Sequence, residues 1–238
     1  MSRARILIVN PNSSEAVSER LRATAARFVG ERARIEVVTC SDGPSYLGDE
    51  ETMRAGEAAA LTKIDGLLKE KEKPDAIVLG CFADLGLKAL AQRTTLPVCT
   101  LLSASLAAAT GRTAIVTAGA QWRTMLPPMV ARTRGETDLV AVRTIAATGT
   151  IIAANPQAAI AELQQAVDAC AALADTIVIG GAGLAGLAAS LAPPPGARLL
   201  DCLQAAMLFA CNAIAAGSPG QSGRPGVAAS SPGKNPGN

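Results

Sequence analysis

The chain has 238 residues, 49% of them apolar and only 2% aromatic, and a formal charge of +2. That length allows one large domain or two small ones around an aliphatic core. The small charge, with no basic run beside aromatics, excludes a nucleic-acid surface, and no uninterrupted apolar run of about eighteen residues offers a membrane span.

Taken in order, Arg5–Val9 reads as a first strand, and Asn10-Pro11-Asn12-Ser13-Ser14 leaves it as a turn. Asn12 is placed to cap a helix, with Glu15 in capping-box position. Val17, Leu21, Ala25 and Phe28 then share one helical face. Asn10 falls at the strand's C-terminal edge, where it reads equally as a turn residue and as a binding residue. Arg34–Thr39 is the second strand, left through Cys40-Ser41-Asp42-Gly43-Pro44-Ser45. Glu50 to Glu72 is a helical stretch with Leu61, Ile64 and Leu68 inward.

Ala76–Leu79 is a short buried strand ending in Gly80-Cys81, and Leu85, Leu87 and Leu90 begin a helix-like pattern. Open α/β sheets bind ligands at such strand ends. Taken alone, Cys81 reads as a core thiol; its position gives it the second reading, a reactive one. Pro97–Leu101 is a strand, and Ser103 caps a helix to Ala109. Thr113–Thr117 is a strand whose turn, Ala118-Gly119-Ala120, leads to a helix carrying Trp122, Met125 and Leu126. Leu139–Val142 is a strand, and Pro156–Leu173 a long helix. Thr176–Gly180 is a strand, Arg198–Asp201 the last strand, and Cys202–Ala216 the last helix. Alternation of strands and helices makes the class α/β with parallel sheets. Residues 218–238 are rich in Gly, Pro, Ser and Asn, without periodicity, and read as a disordered tail.

One stretch occurs twice. Asp75, Ile77, Val78, Gly80, Gly86 and Leu87 recur one hundred residues on as Asp175, Ile177, Val178, Gly180, Gly186 and Leu187. The repeat aligns Cys81 with Gly181. Two similar halves facing each other, with a thiol on one side, are expected.

Histidine is absent. Ser-His-Asp and Cys-His catalysis fall away, with His-containing metal sites. A general base must be a carboxylate, thiolate, lysine or tyrosine, and Tyr46 is the one tyrosine. The six cysteines, at 40, 81, 99, 170, 202 and 211, show no C-x-x-C spacing, so no metal site is expected. They read as reduced, mostly packed thiols. The N-terminal apolar run is too short for a signal-peptide core, so the cytoplasm is the expected compartment.

Five motifs in order resemble the Asp/Glu/hydantoin racemase superfamily. They are Asn10-Pro11-Asn12-Ser13, Gly43-Pro44-Ser45, Gly80-Cys81-Phe82-Ala83-Asp84-Leu85-Gly86, Thr117-Ala118-Gly119 with Trp122, Met125 and Leu126, and Gly180-Gly181-Ala182-Gly183-Leu184. The resemblance implies two flavodoxin-like halves related by a pseudo-twofold, with the active site in the cleft between them. It divides the chain into 1–101 plus 202–217 and 102–201, each half lending its last helix to the other. It also implies chemistry without a cofactor. One thiolate removes a proton from the carbon next to a carbonyl, and a second thiol returns one to the opposite face.

By that resemblance Cys81 is the catalytic acid/base, its pKa lowered by a following helix N-terminus. It is then the most reactive thiol at neutral pH. Asn10, Ser45, Phe82, Thr117, Ala118, Gly119, Gly181, Ala182 and Gly183 are the substrate-binding candidates. The expected partner is a small molecule, with neither nucleic acid nor membrane, and a homo-oligomer stays open. The second thiol position holds Gly181. Three readings follow: a racemase of amino acids or hydantoin-like derivatives, a single-thiol decarboxylase or isomerase of the arylmalonate decarboxylase type, and a non-catalytic binding homologue.

Overall fold

The computed structural model describes residues 3–134 and 138–217; the tail from Ser218 lies outside them. β1 (Ala4–Asn10), β2 (Ala33–Thr39), β3 (Ala76–Leu79) and β4 (Val98–Thr100) form a parallel sheet in the order β2-β1-β3-β4. β5 (Thr113–Ala118), β6 (Leu139–Ile145), β7 (Thr176–Ile179) and β8 (Arg198–Asp201) form a second one, β6-β5-β7-β8. Each has the flavodoxin-like order, in which the crossovers put helices on both faces. Strands covered twice read as unbroken apolar runs, and every residue of β3 and β7 is buried.

The hundred-residue repeat has a physical basis at its first residue. The Asp75 carboxylate accepts the backbone N–H of Arg5 at 2.7 Å, tying the entry of β3 to that of β1. The Asp175 carboxylate accepts the N–H of Arg112 at 2.8 Å, beside the entry of β5. Arg112 also reaches Asp175 with its guanidinium, at 2.9 Å.

Eight α-helices occur among the described residues: α1 (Glu15–Val29), α2 (Glu50–Leu67), α3 (Leu87–Ala91), α4 (Leu101–Ala108), α5 (Trp122–Arg134), α6 (Gly149–Ala154), α7 (Ile160–Asp168) and α8 (Cys202–Ala215). α8 packs on α1, β3 and β4, and α4 packs on α5 and α8. The last helix after each sheet therefore reaches across to the other half. Asp201 caps α8, its buried carboxylate accepting from Leu203 and Gln204, and it also accepts the Gly186 N–H at 2.6 Å.

Several local expectations need correction. Ser14, not Asn12, caps α1; Asn12 instead accepts the Ser14 N–H on its own side chain at 2.9 Å, an Asx turn that delays the helix. α4 is capped by Thr100, with Ser103 as the reciprocal partner of its capping box. α2 stops at Leu67, short of the charged run. The long helix from Pro156 is a 3-10 turn, Pro156–Ala159, followed by α7. α6 was not anticipated; Thr148 caps it.

Candidate active site

The site begins where β3 ends. The Gly80 N–H donates to Val9 O, and the Cys81 N–H to Leu79 O, both at 2.8 Å. A Cβ on Gly80 would stand 2.9 Å from Leu21 Cδ1 and 3.2 Å from Val9 O, so a side chain there would press on α1. Cys81 O accepts from Leu101 N at 3.2 Å. With its backbone groups engaged, Cys81 presents its side chain to a pocket of about 490 Å³ between the two sheets, mouth included.

The expected helix dipole is missing from Cys81. α3 begins only at Leu87, after Gly86 in the left-handed region, and the residues between are bends. Nothing lowers the thiol pKa. Cys81 is 5% exposed, and burial pushes its thiol up to about 12. The lowering expected from a helix N-terminus is therefore absent, and burial favours the protonated thiol.

The facing wall comes from the end of β7. The Phe82 ring lies across the cleft against Gly180, where a Cβ would stand 2.4 Å from Phe82 Cε1. Gly181 has φ +127, and a Cβ there would lie 3.0 Å from Leu184 Cδ1 and 3.6 Å from Thr117 Oγ1. Its carbonyl accepts from the Cys202 thiol at 3.7 Å. Cys202 is fully buried and lies behind the pocket wall.

Of the residues singled out from the sequence, Cys81, Phe82, Thr117, Ala118, Gly181, Ala182 and Gly183 line this pocket. Three others do not. Asn10 is fully buried, and its amide donates to Asn12 Oδ1 at 3.0 Å, to Ser14 O at 3.1 Å and to Ser18 Oγ at 3.0 Å. It orients Asn12 rather than reaching the cavity. Ser45 points to solvent on the Gly-Pro loop. That loop packs on the first turn: Ser13 N donates to Pro44 O at 3.0 Å, and a Cβ on Gly43 would stand 2.4 Å from Pro11 O. Gly119 sits behind the wall, with φ +93.

Sequence reasoning missed other wall residues. Asn12, a cap by its sequence position, lines the pocket, and its amide nitrogen has no partner among the described residues. Thr150, on α6, also lines the pocket, and its hydroxyl is buried without a partner among the described residues. No local signal marked it, because α6 itself went unread. Val17, Leu47 and Leu184 supply apolar wall.

Tyr46 bridges the cleft. It belongs to the loop after β2, yet its hydroxyl oxygen accepts from Trp122 Nε1 at 3.0 Å, the first residue of α5, and from Gln121 Nε2 at 3.3 Å, just before it. The oxygen occupies the space above Gly119, where a Cβ would stand 2.5 Å from it. Burial raises the phenol pKa, the Trp122 hydrogen bond opposes that, and neighbouring Cys81 adds to the rise.

Among the described residues no Arg, Lys, Asp or Glu lines the pocket. Among the described residues no group of three or more Cys, Asp or Glu is placed to hold a metal ion, and no helix is long and apolar enough to cross a membrane.

A thiol at the end of one sheet's strand, a glycine at the matching strand end of a repeated sheet, and a shared pocket define a two-half α/β fold with its site between the halves. The sequence profile of the Asp/Glu/Hydantoin racemase family matches residues 6–210, and the chain belongs to that family. Its enzyme class is that of a racemase, an isomerase. A hydantoin racemase of Paenarthrobacter aurescens is 30% identical over 221 residues, 90% of this chain and 92% of that one. Allantoin racemase from Klebsiella pneumoniae superposes with a TM-score of 0.82 at 21% identity, over 91% of this chain and 89% of that one. Allantoin racemase from Pseudomonas fluorescens gives a TM-score of 0.79 at 18% identity, over 90% and 93%.

Proposed function

We propose that the protein is a cofactor-independent racemase of neutral, cyclic amino-acid derivatives of the hydantoin type, with Cys81 exchanging the proton on the carbon next to the carbonyl. The observation that carries this reading is the character of the pocket wall. Its polar groups are neutral (Asn12, Tyr46, Thr117 and Thr150), and the rest is apolar. A free amino acid brings an ammonium and a carboxylate, and leaving those unpaired in a partly buried site costs several kcal/mol on the order of a buried ion's desolvation. A cyclic imide brings only N–H and C=O groups, which the amide of Asn12 and the hydroxyls satisfy. Relatedness to a hydantoin racemase supports the same substrate class.

In this reading Phe82, Ala118 and the Gly181-Ala182-Gly183 turn frame the ring, and developing enolate charge meets short polar groups rather than cations. The bodies that close on the substrate are residues 1–101 with 202–217, and residues 102–201. Free thiols throughout suit a reducing cytoplasm. Polarimetry on single enantiomers of 5-substituted hydantoins, free amino acids and aryl malonates tests it. Loss of rotation with hydantoins, abolished by Cys81→Ser, is the expected result; turnover of free amino acids alone would displace it.

A second reading rests on Gly181. A site with one thiol can protonate one face of an enediolate, which suffices for decarboxylation of a malonate-type acid. CO₂ release in the same panel, without racemisation, would select it.

A further inference from the structure

We propose that Tyr46 is the acid/base partner of Cys81 and serves the substrate face that a thiol at position 181 cannot serve. The inference rests on the reading of the protein as a proton-transfer racemase.

A racemase needs a proton donor on each face of the reacting carbon. Gly181 supplies none, and Cys202 is fully buried behind it with its thiol turned to the Gly181 carbonyl. The chain has no histidine, and among the described residues no carboxylate or lysine lines the pocket, so the titratable groups found there are Cys81 and Tyr46. Both line the same pocket. The thiol stands at the end of β3 in the first half. The phenol oxygen, although its chain comes from the first half too, is fixed on the second half over Gly119.

Its hydrogen bonds also have the right polarity. Trp122 Nε1 and Gln121 Nε2 both donate to the oxygen, so both lone-pair directions are engaged. The phenol proton must then point elsewhere, and no acceptor for it occurs among the described residues. Burial raises the phenol pKa, and the donor from Trp122 offsets part of that cost to the phenolate, the form left after the proton is given away.

The step balances. Cys81 thiolate takes the α-proton: the C–H bond breaks, S–H forms, and the electron pair moves to the carbonyl oxygen. Tyr46 then gives its proton to the opposite face: O–H breaks, C–H forms, and the enolate pair returns to carbon. The Cys81 thiol and Tyr46 phenolate that remain are the starting state for the other enantiomer, and proton exchange between them through solvent resets the site. No electron is gained or lost.

The test is racemisation of a single hydantoin enantiomer in D₂O, followed by chiral chromatography and mass analysis. Wild type is expected to invert configuration with uptake of one deuterium. Tyr46→Phe is expected to lose inversion at least about a hundredfold, as when a general acid is removed. It should keep Cys81-dependent deuterium uptake with retention, for the enantiomer whose proton faces the thiol. Retained exchange also certifies an intact site. Because Tyr46 is the one tyrosine, growth on 3-fluorotyrosine labels it alone without changing shape. The more acidic phenol should move the pH profile of inversion down by at least about half a unit and leave retention exchange in place. Inversion by Tyr46→Phe within about threefold of wild type, or an unmoved profile, overturns this proposal and leaves the racemase reading standing. A wild type that neither exchanges nor inverts any hydantoin overturns both.

Discussion

The indole Nε1 of Trp122 donates to the Tyr46 hydroxyl at 3.0 Å, across 76 residues of sequence and from one half of the molecule to the other. A helix residue of one half thus fixes a polar group in the pocket wall. Trp122→Phe keeps the apolar bulk and removes the donor. Racemisation should fall about tenfold in kcat with KM little changed, the scale of one hydrogen bond that matters in the transition state. Steady-state polarimetry measures it; an unchanged kcat would show that the bond only packs the loop.

Gly181→Cys places a side chain at φ +127, 3.0 Å from Leu184 Cδ1. Such backbone costs on the order of 1 kcal/mol or more, or a melting point lower by about 2–4 °C. In a Tyr46→Phe background the new thiol should restore inversion of configuration, since the far face regains a donor. Exchange that still proceeds only with retention would mean that position 181 does not face the substrate.

Gly183 leaves less room still. A Cβ there would lie 1.9 Å from the Gly149 carbonyl oxygen, the start of α6. Neither partner is a flexible side chain. Gly183→Ala should cost about 1–3 kcal/mol, as overpacking does, and displace Thr150 from the pocket. Denaturant titration reads the first effect, and a raised KM for the hydantoin the second.

Alkylation of the free protein should begin at Cys211. It is the one cysteine that is not fully packed away, while Cys81 is buried and protonated with its thiol pushed up to about 12. Limited iodoacetamide treatment followed by peptide mapping decides the order. Cys81 labelled first would mean that the halves open readily in solution.

All six thiols are pushed up by burial, Cys40 to about 11 and Cys81 to about 12. Each holds its proton more tightly folded than unfolded. Their contribution to stability is therefore complete below the ordinary thiol pKa of about 8.5 and is lost as pH rises toward the folded values. The melting temperature should drop steadily from pH 9 to pH 11, and racemisation should rise with pH until unfolding intervenes, because Cys81 must first ionise. Melts that coincide at pH 8 and pH 10.5 would contradict this.

The sheets, their repetition and the family are legible in the residues alone. Strands covered on both faces must be unbroken apolar runs, and the turns that follow admit only glycine where backbone or an aromatic ring comes close. Those are local constraints, so Ala76–Leu79, the run from Thr176 to Ile179 and the pairing of Cys81 with Gly181 could be read from residues alone. Only the tertiary structure decided which polar groups meet. Asn10 turned inward because three acceptors surround its amide, and Asn12 took its place in the wall. Tyr46 acquired its role from Trp122 and Gln121, far away in the chain. The state of Cys81 was likewise out of reach of its neighbours in sequence. A thiol's ionisation depends on how much water remains around it, and that is fixed by packing from both halves rather than by the helix that follows.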